Sequence, residues 1–89
     1  TLMPALSKPC VHYDPLVDAV TIWFQRGVES ARTDVIDNLR LADYDARGKL
    51  AFVELIGVSK GLRLEGLPEK EAIERELLPL AQSKGWKLA

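Results

Sequence analysis

Eighty-nine residues suit one domain, and a chain of that length buries roughly 60–65% of the surface its unfolded form exposes, enough for one modest core. An apolar fraction of 47% and a charged fraction of 28% exclude a disordered chain. A formal net charge of −1 supplies no field for nucleic acid or an anionic membrane, and no stretch approaches the roughly 20 apolar residues of a membrane span.

Thr1 to Pro9 contains two prolines and no clear period, so residues 1–10 read as an arm leading into the fold. Val11-His12-Tyr13 suits a short strand. Asp14-Pro15 opens a turn that Asp18 closes, because proline presets φ and aspartate bonds the backbone ahead of it. Ala19 to Phe24 is rich in β-branched and aromatic residues and reads as a strand, with Gly27 marking the next reversal. Thr33 to Asp37 is another strand, and Asp37-Asn38 another turn. Leu39 to Tyr44 alternates, with Leu39 and Leu41 on one face and Arg40, Ala42 and Tyr44 on the other. Asp45-Ala46-Arg47-Gly48 is the strongest turn signal in the chain. Aspartate first and glycine fourth suit a type I turn with the glycine at positive φ, so residues 39–56 read as a hairpin.

The last third changes period. Pro68 suits a first helical turn, Glu69 and Glu71 complement the helix dipole, and Ala72, Ile73, Leu77, Leu80 and Ala81 share one face. The spacing predicts a helix over about 68–84, kinked or split near Leu78 because Pro79 removes a backbone hydrogen bond. Gly85 suits the residue after the helix, with Trp86 folding back on Ala81. The fold class is therefore α+β: an antiparallel sheet of about four or five strands over 11–60, then a C-terminal extension, 61–89, with one kinked helix. Both central strands are apolar on both faces, and one helix covers only one of them. The other face calls for the N-terminal arm or a second subunit, and a homodimer is the expectation. Trp23, Leu50, Phe52 and Ile56 are the candidate interface residues.

Tyr13-Asp14-Pro15, Asp18-Ala19, Ile22, Asp43-Tyr44-Asp45, Gly48-Lys49-Leu50, Glu54-Leu55 and Ser59-Lys60 occur in one order. That order resembles the small bacterial proteins grouped as domain of unknown function 2283, over about residues 11–60. Phe52 departs from the pattern, standing where those proteins usually carry a glycine. The resemblance implies a fold and names no reaction. Some of those proteins are encoded beside toxin-like genes, which implies an antitoxin-like or other partner-binding role.

Carboxylates are the candidate chemistry. Asp43 and Asp45 stand two apart, which on a strand puts both on one face, where Asp14 or Asp18 would complete an oxygen site for Mg²⁺ or Ca²⁺. Turn formation accounts for Asp14, Asp18 and Asp45 equally well. Glu54 interrupts the apolar run Phe52 to Ile56; it suits a perturbed acid or base, a pair with Lys49, Lys60 or Arg40, or an exposed charge that discourages aggregation. Cys10 and His12 supply at most two of the four ligands that a structural zinc needs, so neither metal nor other cofactor is expected. Ser59-Lys60 is no catalytic pair, since neighbours on an extended chain point apart. Arg26, Arg32, Arg40, Arg47 and Lys49, with Trp23 and Tyr44 to stack, would serve nucleic acid, but the charge balance argues against it. With no leader pattern, a cytoplasmic location is expected. The leading reading is a non-enzymatic protein-interaction module; the alternatives are a carboxylate- or metal-dependent enzyme using Asp43, Asp45 and Glu54, and a weak nucleic-acid binder.

Overall fold

Alternating apolar residues and four reversals organise the chain into strands that return on one another. The computed structural model describes residues 5–88, with side chains from residue 8 onward. Five strands form there: β1 (Ala5–Asp14), β2 (Ala19–Gln25), β3 (Arg32–Asp37), β4 (Arg40–Tyr44) and β5 (Leu50–Ile56). A single helical turn (Val58–Lys60) and one α-helix, α1 (Lys70–Lys84), follow. All neighbouring strands run antiparallel in the order β1-β2-β5-β4-β3.

The α+β class is as the sequence pattern predicts, and so is the 39–56 hairpin. Gly48 holds φ +81°, its N–H donates to the Asp45 carbonyl at 3.0 Å, and the Asp45 carboxylate accepts the N–H groups of Arg47 and Lys49. The expected arm is corrected over residues 5–10, which are strand; residues 1–4 lie outside the described residues. Pro9 is tolerated because β1 is an edge strand, where a missing N–H costs no ladder bond.

One face of the sheet is fully packed. Val20, Ile22, Ala42, Val53 and Leu55 meet Ile73, Leu77 and Ala81 of α1, and Val58, Leu62, Leu64 and Leu67 of the segment before it. Each of these is at most 7% exposed, so residues 61–88 supply a large part of the core.

The helix starts two residues later than expected. Glu69, at φ +53°, is its N-cap and makes no side-chain cap bond. Pro79 does not split it: α1 runs unbroken through residue 79. Pro79 and Arg75, whose carbonyl loses its partner, are both exposed, so the freed oxygen lies in a segment open to solvent. The C-terminus closes as its sequence predicts. Gly85, at φ +73°, donates to the Gln82 carbonyl and Trp86 donates to the Ala81 carbonyl at 2.9 Å, the pair of bonds of a Schellman cap. Trp86 then turns its ring edge-on to Tyr13, centroids 4.8 Å apart, and ties the end of the helix to β1.

Candidate interaction face

Strand register decides which side chains share the second face. Cys10, Trp23, Phe52, Asp43 and Thr33 form one row across all five strands, and His12, Thr21, Glu54, Leu41 and Val35 form the next. Neither row faces α1. Trp23 and Phe52 lie side by side with ring centroids 4.8 Å apart and planes tilted by 52°. Ile56 is 38% exposed and Val35 is 70% exposed, so the face that holds the aromatic pair also exposes aliphatic side chains elsewhere. Of the four predicted interface residues, Trp23, Phe52 and Ile56 belong here. Leu50 does not: beside the register shift of β4, it pairs with Tyr44 and packs against the helix-side core.

The three candidate carboxylates do not converge. Asp43 is 3% exposed and accepts the Thr33 hydroxyl. Asp45 is not on the strand with it; β4 ends at Tyr44 and Asp45 begins the turn. One Asp45 oxygen accepts Arg47 and Lys49 N–H groups and the other accepts Gln25 Nε2 at 3.1 Å. These bonds, the Lys49 backbone bond first, hold its pKa below the ordinary aspartate value. Glu54 stands near the middle of the face between Thr21 and Leu41, half-buried, with no hydrogen bond or ion pair among the described residues. The expected pairs with Lys49, Lys60 or Arg40 do not form there. No group of three or more His, Cys, Asp or Glu side chains is placed to hold a metal ion among the described residues.

Two polar centres escaped the sequence reading, and both are structural. Asp18, at φ +53°, accepts the Ser59 hydroxyl at 2.7 Å, the Ser59 N–H, and the Tyr13 hydroxyl at 3.1 Å. Its carbonyl accepts Gly57 N–H, so one residue joins the β1–β2 turn to the chain leaving β5. The Ser59 hydroxyl bond is the main cause that lowers the Asp18 pKa, against the opposing effect of burial. Burial, then the bond to Asp18, raises that of Tyr13. Tyr13, Asp18 and Ser59 together form a scaffold joint, and only the turn position of Asp18 was a local signal for it. Arg40 is the second centre: 7% exposed, it donates to the carbonyls of Arg63 and Glu65 and to the Asp37 carboxylate. Arg40 also keeps the Asp37 pKa low.

No helix in the described residues is long and apolar enough to cross a membrane. No protein-family model matches the chain, and comparison with the curated proteins and with solved structures returns no match.

Proposed function

We propose that the chain is a protein-interaction module that receives its partner on the open face of the sheet. The observation that carries this reading is the Trp23–Phe52 pair on the face that α1 leaves uncovered, a face that elsewhere exposes Ile56 and Val35. Aromatic side chains of this kind, partly exposed in the free chain, are the anchors that protein interfaces favour. Asp43 and Asp45 are committed to neighbours, which leaves Glu54 without a companion for acid–base or metal chemistry. The half-buried Glu54 asks instead for a cation from the partner. A second copy meets that demand if the two sheets are offset, so that Glu54 of one copy meets His12 or Arg26 of the other; a symmetric stack would oppose two glutamates. An antitoxin-like version of the same role is what the resemblance to domain of unknown function 2283 would imply.

Sedimentation velocity across a wide concentration range tests the self-association arm, and affinity capture from native lysate tests the heterologous arm. Phe52→Ser and Trp23→Ser are expected to weaken association at least tenfold while the chain stays folded. A chain that remains a monomer, captures nothing and binds no apolar dye would end this reading.

A further inference from the structure

Where β4 begins and β5 ends, a cavity of about 400 Å³ opens between the sheet and the segment that leaves it. Its apolar wall is formed by Leu39, Leu55, Ile56, Val58 and Leu62. Four basic residues, Arg40, Lys60, Arg63 and Lys87, also line it, and no acidic residue does. The volume lies at the small end of the range for cavities that enclose a metabolite-sized ligand.

The cations around this cavity are not equivalent. Arg40 is buried and spends its donors on Asp37 and two carbonyls. Arg63 lies 3.7 Å from Asp37 and 3.4 Å from Glu65. Lys60 and Lys87 have no carboxylate within ion-pair distance among the described residues. The nearby carboxylate of Asp18, which feels the charge of Lys60, is already bonded by Ser59 and Tyr13. An apolar hollow is thus bordered by two exposed lysines that make no ion pair among the described residues. Such a site favours a ligand that is apolar along its body and negative at one end.

We propose that this cavity binds a small amphipathic anion, a monocarboxylate on an aliphatic or aromatic body. The site borders the open face, with which it shares Ile56, but it does not depend on the interaction-module reading. Carbon atoms of the ligand would replace water against Leu55 and Leu62, while the carboxylate would stay near the mouth within reach of Lys60 and Lys87. Backbone geometry holds the frame: Gly61 adopts φ +131°, and Leu62 N–H donates to the Lys87 carbonyl at 2.8 Å, so the two lysine-bearing segments are fixed to one another.

Octanoate and its uncharged counterpart 1-octanol are the probes. Each is titrated into the ¹⁵N-labelled full chain while the amide resonances of Gly57, Gly61 and Leu62 are followed. The expected result is saturable movement of these amides with octanoate and binding of octanol about tenfold weaker. Lys60→Ala and Lys87→Ala should each weaken octanoate about threefold or more, with unchanged octanol binding and unchanged melting temperature, since both positions are exposed. Equal affinity for octanoate and octanol would overturn the proposal. So would shifts centred on Trp23 and Phe52, or no saturation below the concentration at which octanoate self-associates.

Discussion

Removing the Arg40 guanidinium would leave the Arg63 and Glu65 carbonyls, and the Asp37 carboxylate, without their donor in a place that water reaches poorly. Arg40→Ala should therefore cost about 2–4 kcal/mol in chemical denaturation, and Arg40→Lys should recover only part of it, because a single ammonium cannot span three acceptors in a fixed fork. Asp18 makes a different prediction, about pH. The pKa values of Asp18, Asp37 and Asp45 are all lowered in the folded chain, so the unfolded chain binds protons first as pH falls. Their stabilisation is present above the unfolded aspartate value, near about 4, and is lost as pH drops through the folded values. The melting temperature should hold between about pH 7 and 5 and decline below about 4. Asp18→Asn, which tolerates the same positive φ, should be less stable at neutral pH and show a shallower decline. An unchanged slope in that variant would remove Asp18 from the acid response.

Among the elements, the helix terminus gives the sharpest test. Gly85 holds φ +73° with space around its Cα, so Gly85→Ala meets no clash and isolates the conformational cost. A loss of about 1 kcal/mol is expected in thermal melts followed by circular dichroism. This cap was legible from Gly85 alone, as was the β4–β5 turn from Asp45 and Gly48, because both depend on a backbone angle that few residues adopt. The strand over residues 5–10 was not legible. Its two-residue period is obscured by Pro9, and only its place at the sheet edge makes that proline harmless. Arg40 illustrates the same limit. Alternation put it on the face of Ala42 and Tyr44, yet its true partners are carbonyls more than twenty residues away, which no local pattern encodes. Of the candidate residues, Trp23, Phe52 and Ile56 fell on one face because strand parity places them there. Leu50 left the set because parity fails across the β4 register shift.

The molecule as a whole depends on its last third. Leu62, Leu64, Leu67, Ile73, Leu77 and Ala81 cover Val20, Ile22, Val53 and Leu55, so a chain cut after residue 60 should expose both sheet faces and fail to fold. Its amide dispersion in solution checks this directly; a native-like spectrum would contradict the arrangement. Within the full chain, Leu77→Ala should cost about 2–5 kcal/mol, since Leu77 is fully enclosed. The strand order carries a further consequence, for synthesis. Among the described strands β5 is the last to leave the ribosome, yet it stands between β2 and β4 and pairs with both. Until it emerges, β1–β2 and β3–β4 can pair only within themselves, and a β2 that does pair offers an open edge carrying Val20 and Ile22. Slow emergence of residues 26–49 from the ribosome would prolong that vulnerable interval, whereas prompt emergence of residues 50–56 would let β5 close the sheet before another nascent chain can add to β2.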